Sequence, residues 1–172
     1  MIYENIYKSP IGDIYITSDG KNITGAWLAG QKYFKRNLKE PTTLNSTCQI
    51  FKDTEEWFKS YFRGENPDLS NLSLEPSGSE FQKTVWNILR HIPYGETASY
   101  GQITKKVSDI LNKPSMSAQA VGQAIAHNPI LIIIPCHRVI GKNGNLTGYA
   151  GGQYLKLKLL KFEGVSLSKL KN

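Results

Sequence analysis

The spacing of apolar residues changes along this chain from the period of a β-strand to that of an α-helix. Three short segments alternate β-branched or aromatic residues with polar ones, at residues 2–8, 13–17 and 23–28. Turn-forming residues separate them at Ser9–Gly12 and Asp19-Gly20. From Ile50 to Phe62 the apolar residues follow the helical repeat instead. We therefore expect an antiparallel three-stranded meander with a helix packed on it.

Beyond this helix, residues 64–79 are rich in Gly, Pro, Asn and Ser, which is typical of a connector. We place the domain boundary there, between an α/β domain of residues 1–76 and a mostly helical domain of residues 77–172. Capping-box spacing predicts two helix starts, at Ser79 with Gln82 and at Ser99 with Gln102.

The second capping box opens a helix that reaches about Leu111, with Ile110 in its apolar stripe. A third helix, residues 118–126, is built from small residues. A last helix runs from Gln153 to Glu163, with Phe162 expected to face inward. The helices before and after residue 115 form a candidate helix-turn-helix, a pattern shared with many other helix corners.

The positive charge of the chain lies in its second part. The net formal charge is +7, and residues 77–172 hold 12 Lys/Arg against 4 Asp/Glu, whereas residues 1–76 hold 9 against 10. A polyanionic partner explains this asymmetry, and so do ordinary solvated lysines. Composition leaves the two readings about even.

Cys48 and Cys136 are the only cysteines, and they lack the spacing of a disulfide framework or a structural zinc site. Each is interpreted as a free thiol. The longest apolar run, residues 130–134, is far too short for a membrane span, and no signal-type apolar stretch opens the sequence. We expect a cytoplasmic protein without a membrane association.

One segment has the residues for nucleophilic chemistry. The apolar, proline-bracketed run leads directly into Pro135-Cys136-His137-Arg138-Val139. A thiolate is the reactive form of cysteine, and lowering the thiol pKa requires a nearby cation, a base or a helix N-terminus. His137 and Arg138 are candidates for that role. The alternative is a buried, inert cysteine.

Two features after this segment favour a site. Four glycines surround Tyr149, at Gly144, Gly148, Gly151 and Gly152, so the backbone there can approach a ligand closely. Glu163 lies at a helix C-terminus, where the helix dipole disfavours a carboxylate. A specific partner such as His137 would explain its position, and a solvated glutamate is the alternative.

These residues resemble the O6-alkylguanine-DNA alkyltransferases. The resemblance covers residues 79–164 and includes, in the same order and similar spacing, Phe81-Gln82, Val85-Trp86, Ile92–Gly95, Ser99–Gly101, Asn128-Pro129, Pro135–Val139 and Gly148-Tyr149. It implies an N-terminal α/β ribonuclease-H-like domain, an antiparallel sheet plus a helix, followed by a mostly α winged-helix-like DNA-binding domain that carries the active site.

The resemblance implies DNA repair by a single, irreversible transfer of an alkyl group from O6-alkylguanine in double-stranded DNA to Cys136. The same reaction at O4-alkylthymine is left open. It further implies that His137 deprotonates the thiol through a water, that Glu163 holds the imidazole, and that Asn128 braces the turn. The expected protein is a monomer that needs no metal and no organic cofactor.

The remaining roles are also implied by the resemblance. Tyr100 would lie beside a phosphate and bond the extruded base, and the guanine pocket would be lined by Val139, Tyr149, Ala150 and Gly151. The small-faced helix would enter the minor groove, which is only about 6 Å wide. The DNA-contact residues are expected to be Ser117, Ala118, Gln119, Ala120, Gly122, Arg138 and Lys142.

The sequence departs from the family pattern at Gln119, where most relatives have an arginine. A glutamine can hydrogen-bond an orphaned base but lacks the charge. The joint between the two helices, Asp109–Ser117, is also long.

Three other functions compete with alkyl transfer. A lesion-binding relative without transfer lacks the cysteine, which is present here. A cysteine hydrolase would turn over and would pair Cys136 with a histidine distant in sequence. A DNA-binding regulator would explain the charge and the helices but not the Pro-Cys-His-Arg segment.

Overall fold

The computed structural model describes residues 1–166, 168 and 170. Its chain forms two compact units. The first comprises residues 1–77 together with Pro129–Leu131, and the second comprises residues 78–128 and the chain from Ile132 onward. The sequence did not assign residues 129–131 to the first unit.

Three antiparallel strands form most of the sheet in the first unit, which confirms the predicted meander. They are β1 (Ile2–Ser9), β2 (Gly12–Ser18) and β3 (Ile23–Leu28). Gly12 and Gly20 take positive φ angles of 121° and 100° in the two turns, which suit residues without a Cβ. Alternation of side chains buries Ile14 and Ile16 on the core face.

A fourth strand makes the sheet mixed rather than antiparallel, so that part of the predicted fold was wrong. β4 (Thr42–Leu44) pairs in parallel with β1, and the sheet order is β3-β2-β1-β4. Three residues are too few to show a strand period, and their pairing depends on a distant segment.

Helix α1 (Gln49–Phe62) packs on this sheet, as its periodicity predicts. Phe51, Phe58 and Tyr61 are fully buried along one face. Phe58 stacks on Tyr7 of β1 with ring centroids 5.5 Å apart. This aromatic layer supplies much of the apolar area that stabilises the first unit.

The outer edge of β3 is covered by two segments that come later in the chain. Ile23 exchanges backbone hydrogen bonds with Ser73 and Glu75, and Ala26 exchanges them with Pro129 and Leu131 at 2.8 Å. These bonds satisfy groups that an edge strand would otherwise leave unpaired.

Three helices pack against one another in the second unit: α2 (Glu80–Leu89), α3 (Tyr100–Leu111) and α4 (Ala118–Ala126). Both predicted capping boxes are present, with Ser79 on Gln82 and Ser99 on Gln102. The buried indole of Trp86 donates to the Ala124 carbonyl at 2.8 Å and links α2 to α4.

The rest of the second unit positions the Pro-Cys-His-Arg segment. β5 (Ala98–Ser99) pairs in parallel with β6 (Val139–Ile140), and short 3-10 turns span Cys136–Arg138 and Lys142–Gly144. Helix α5 (Gln153–Phe162) packs on the turn Cys136–Arg138.

Two predicted core residues are exposed instead. Ile110 is 62% exposed because burial on α3 ends one turn earlier, at Val107. Phe162 is 41% exposed because the buried face of α5 includes Lys156 and is therefore centred away from Phe162.

Within the described residues, none of the helices combines the length and apolar character required to span a membrane.

Candidate active site

A buried, proline-bracketed segment places Cys136 at the start of a 3-10 turn. Residues 130–135 are all buried, and Ile132 has a φ of +67°, which is strained for a β-branched residue. The Cys136 N–H donates to the Ile134 carbonyl at 2.8 Å. These constraints fix the direction of the cysteine side chain.

Asn128 connects this segment to the sulfur. Its Nδ2 donates to the Ile134 carbonyl at 2.7 Å and to the Cys136 Sγ at 3.1 Å. The first bond ties Asn128 to the backbone two residues before the cysteine. The second is one that sequence did not indicate, and it favours the thiolate over the thiol.

Glu163 is ionised in this site. Burial raises its pKa, but hydrogen bonds from His137 and Arg138 and the electrostatic attraction of both partners outweigh burial and lower it to about 2. Its Oε1 lies 2.6 Å from His137 Nε2. A carboxylate only accepts hydrogen bonds, so Nε2 of His137 must carry the proton.

The imidazole of His137 is neutral and offers a basic nitrogen. Burial lowers its pKa, and Glu163 only partly offsets this effect while the nearby charges of Arg138 and Lys156 add to it. With the proton on Nε2, Nδ1 has the free lone pair, and this buried atom has no hydrogen-bond partner among the described residues. The ring can therefore accept a proton.

Arg138 faces the interior, which contradicts its predicted DNA contact. Its Nε and Nη2 donate to the two oxygens of Glu163 at 2.8 and 3.0 Å, and its Nη1 donates to the Ile92 carbonyl at 2.7 Å. Planar guanidinium and carboxylate groups match in this bidentate geometry. These bonds use three of its five N–H groups, and the residue is only 9% exposed, so little of the guanidinium is open to a phosphate.

Cys136 is a buried thiol with a small exposed fraction, 6%. Burial raises its pKa, and the hydrogen bond from Asn128 and the charge of Lys156 lower it only in part. Neither His137 nor Arg138 supplies an unpaired positive charge to the thiol, although His137 can still act as a base. His137 is neutral, and the charge of Arg138 is paired with Glu163.

Tyr100, at the start of α3, borders the same site. Its hydroxyl donates to the Thr147 carbonyl at 3.1 Å. Burial raises the pKa of Tyr100 to about 12, and the Cys136 charge adds to this shift. A Cβ on Gly148 would lie 2.7 Å from the Tyr100 hydroxyl, so only a glycine permits this approach.

The predicted pocket residues lie in β6 and in the loop before α5, both in the second unit. Val139 is fully buried in β6, Tyr149 is buried, and Ala150 and Gly151 are half-buried. A Cβ on Gly151 would lie 2.8 Å from Leu155 and 2.9 Å from the Tyr149 ring. The loop therefore depends on glycine for its packing.

Lys156 is a residue that sequence reasoning missed. It is fully buried on α5, and its Nζ lies over the Tyr100 ring. The sequence did contain an indication that Lys156 is buried. Leu160 and Glu163 follow it at spacings of four and seven residues and therefore share its helix face.

Most of the predicted DNA contacts lie on the surface of the second unit. Ser117 caps α4 by accepting from the Ala120 N–H at 3.1 Å. We call Ala118, Gln119, Ala120, Gly122 and Gln123 the outer face of α4, which is exposed or half-exposed and uncharged. Lys142 is exposed in the second 3-10 turn.

We call Asn128, Cys136, His137, Arg138 and Glu163 the buried polar cluster. Within residues 1–166, no group of His, Cys, Asp and Glu side chains is arranged to hold a metal ion. The chemistry that this cluster can perform is proton transfer from a thiol to an imidazole, followed by nucleophilic attack by sulfur.

Two family models match the chain in the same order as the two units. Residues 2–76 match the ribonuclease-like domain of 6-O-methylguanine DNA methyltransferase, and residues 80–165 match its DNA binding domain. The fold and the site thus define a DNA alkyl-repair protein with a ribonuclease-like part and a DNA-binding part. The chain belongs to the 6-O-methylguanine DNA methyltransferase family.

Curated relatives agree over nearly the whole length. The chain is 41% identical to the methylated-DNA–protein-cysteine methyltransferase of Methanosarcina acetivorans, covering 95% of this chain and 99% of the relative. It is 37% identical to that of Haemophilus influenzae, covering 95% and 87%. The structure of Mycobacterium tuberculosis OGT in complex with DNA is similar, with a TM-score of 0.79, 36% identity and coverage of 98% and 94%. The expected family and two-part fold are confirmed.

Proposed function

We propose that this protein repairs DNA by moving an alkyl group from the O6 atom of guanine onto Cys136, once per molecule. The family and its relatives support transfer to a cysteine in DNA repair. The observation that carries the assignment to Cys136 is the neutral His137, whose Nδ1 is free because Nε2 donates to Glu163. A free imidazole nitrogen on the residue next to the cysteine is a base that could take the thiol proton through a water.

The proposed reaction has balanced steps. The Cys136 proton passes to His137 Nδ1, through a water as the resemblance implies. The sulfur then attacks the alkyl carbon, an S–C bond forms, and the C–O6 bond breaks with its electron pair going to guanine. Guanine takes up one proton, either directly from the imidazolium or from Tyr100, which then regains a proton from the imidazolium. In both cases His137 returns to its neutral form, and guanine has gained the proton that the thiol lost.

The protein is proposed to act on double-stranded DNA as a monomer. O6 of guanine lies in the stacked duplex, so the nucleotide must rotate out before the sulfur can reach the alkyl carbon, at about a few kcal/mol for unstacking. The pocket would be lined by Val139 and the Tyr149–Gly151 loop, with Tyr100 beside the extruded base.

The outer face of α4 is proposed to enter the minor groove, with α3 and α4 as a helix-turn-helix. None of its side chains is charged, and three of its five residues are alanine or glycine, which suits a narrow groove. Gln119 would replace the flipped base without adding charge, and Ser117 and Lys142 would contact the backbone. Arg138 is not retained as a DNA contact. Residence in the cytoplasm remains a prediction of the sequence.

Mass spectrometry tests the acceptor directly. Incubation with a duplex that contains one O6-methylguanine should add a single methyl group to the peptide that contains Cys136, and excess substrate should add no more. Cys136→Ser should abolish transfer while retaining DNA binding, and Cys48→Ser should transfer at the wild-type rate. A methyl group found on Cys48 alone would overturn the assignment, and continued turnover would indicate a hydrolase.

A further inference from the structure

The second unit contains a buried cation with no role in the steps above. Lys156 is 0% exposed and lies between the buried residues Leu155 and Leu159 on α5. An ammonium group is costly to bury without an anionic partner. Yet no carboxylate of the described residues pairs with it.

The contacts of Lys156 lead to the residues around Cys136. Its Nζ donates a long hydrogen bond, 3.4 Å, to the Thr147 carbonyl, which also accepts from Tyr100. Nζ lies 5.6 Å from the centroid of the Tyr100 ring. These weak contacts do not replace the hydration that a buried ammonium loses.

The position of Lys156 on α5 also directs it to the nucleophile. Helix α5 packs on the turn Cys136–Arg138. Glu163, seven residues after Lys156 on the same face, holds His137 and Arg138 of that turn. Lys156 therefore faces the segment that carries the sulfur.

Electrostatics agree with this geometry. Burial lowers the pKa of Lys156 to about 8, and the Cys136 charge is what opposes the shift. In the other direction, the Lys156 charge lowers the pKa of the thiol. The other titratable groups of this site do not supply a free cation. Tyr100 and His137 are neutral, and the charges of Arg138 and Glu163 are paired.

We propose that Lys156 is a positioning residue that stabilises the Cys136 thiolate during alkyl transfer. This inference rests on the proposed function. When His137 takes the thiol proton, the sulfur becomes an anion while Lys156 keeps its own proton, so an ion pair forms in the interior. Transfer converts the sulfur into a neutral thioether, and the ion pair is lost.

A purely structural role for Lys156, as a support for the Thr147 loop, makes a different prediction. A loosened loop would slow the reaction by the same factor at every pH. Loss of an electrostatic partner would instead shift the pH at which the sulfur becomes reactive. The pH profile therefore separates the two roles.

The test compares Lys156→Met and Lys156→Gln with Lys158→Met, an exposed lysine on the same helix. All are made in the full chain with Cys48→Ser. The rate at which iodoacetamide modifies Cys136, without DNA, is measured by mass spectrometry between about pH 6 and 10. Thermal unfolding is measured in parallel, and Lys156→Met should be no less stable because a buried charge is removed.

In both Lys156 variants we expect the rising limb of the rate to move to higher pH. Each unit of this shift slows modification at neutral pH about tenfold, with recovery at alkaline pH. Lys158→Met should keep the wild-type profile. An unshifted limb, or a slowing that is equal at every pH, overturns the role of Lys156.

The same variants are then assayed with the O6-methylguanine duplex, where transfer should slow in parallel. Because the iodoacetamide measurement needs no DNA, it still tests the role of Lys156 even if no methyl group is transferred. A shifted limb without any transfer would reject the proposed function alone. An unshifted limb with normal transfer would reject the inference alone.

Discussion

The buried polar cluster and the outer face of α4 belong to the same unit but are built in opposite ways. In the cluster, nearly every polar atom has an internal partner, and Glu163 alone accepts from both His137 and Arg138. On the outer face of α4 no residue is charged, and three of the five residues are alanine or glycine. The function proposed for the first region depends on fixed hydrogen bonds, whereas that proposed for the second depends on a surface with few bulky side chains. We therefore expect large effects of single substitutions in the cluster and small ones on α4.

Glu163→Gln should have the largest effect on stability. The amide cannot neutralise the guanidinium of Arg138, which then stays buried without a counter-charge. Breaking a buried pair in this way costs about 3–5 kcal/mol. Urea unfolding at neutral pH measures the loss. Glu65→Gln, in an exposed pair with Arg63, is the matched control and should leave the unfolding free energy unchanged.

The same residue predicts how stability depends on pH. The folded-state pKa of Glu163, about 2, lies below the ordinary value of 4.5. A lowered carboxyl pKa stabilises the fold above the ordinary value, and this stability is lost as pH falls toward the folded pKa. The wild type should lose about 3 kcal/mol from this group between about pH 4.5 and 2. A Glu163→Gln profile as steep as the wild-type profile would contradict this account.

Gly148→Ala should lower stability by an intermediate amount. It also tests whether methyl transfer depends on the space between Gly148 and Tyr100, next to the buried polar cluster. The φ of Gly148 is +89°, and the new Cβ would lie 2.7 Å from the Tyr100 hydroxyl. Backbone strain alone costs about 1–3 kcal/mol. Gly152→Ala is the matched control, because its φ is +88° and no atom lies within 4 Å of the position that its new methyl group would take.

Both glycine variants should lose similar stability from strain, measured by thermal unfolding. Only Gly148→Ala should also displace Tyr100 and slow methyl transfer at saturating DNA. Equal transfer rates in the two variants would mean that the approach of Gly148 to Tyr100 has no part in the reaction.

Gly122→Ala should have the smallest effect. It should raise the stability of the protein slightly but weaken its binding to DNA. A Cβ there meets no atom within 4 Å, so the helix gains about 0.5–1 kcal/mol from reduced backbone freedom. The added methyl group lies on the outer face of α4 and should weaken DNA binding by less than about tenfold. Calorimetry and a DNA titration measure the two effects. Unchanged affinity would argue against docking through this face.

Local patterns predicted the elements well, and long-range contacts account for what was missed. The capping boxes at Ser79 and Ser99 lie within four residues, so sequence spacing is enough to find them. Strand β4 exists only because it pairs with β1. Ile110 has an apolar period but extends past the surface that buries Val107.

For the site, sequence identified the residues more readily than their partners. The unusual position of Glu163 at a helix end pointed to His137, and the two are hydrogen-bonded. Arg138 was expected to contact DNA, but its guanidinium is buried and paired with Glu163. Lys156 was not singled out, although its spacing places it on the same helix face as Leu160. Whether a charged side chain is buried depends on how all elements of the unit pack together, so the local sequence indicates it only weakly.

The first unit includes Pro129–Leu131, which are translated well after its other residues, and this order affects folding during translation. A ribosome completes residues 1–77 long before residue 131 emerges, so the outer edge of β3 at Ala26 stays open during that interval. Open strand edges invite pairing with other nascent chains. A fragment truncated at residue 76 would retain this exposed edge permanently and should aggregate more readily than the full-length chain.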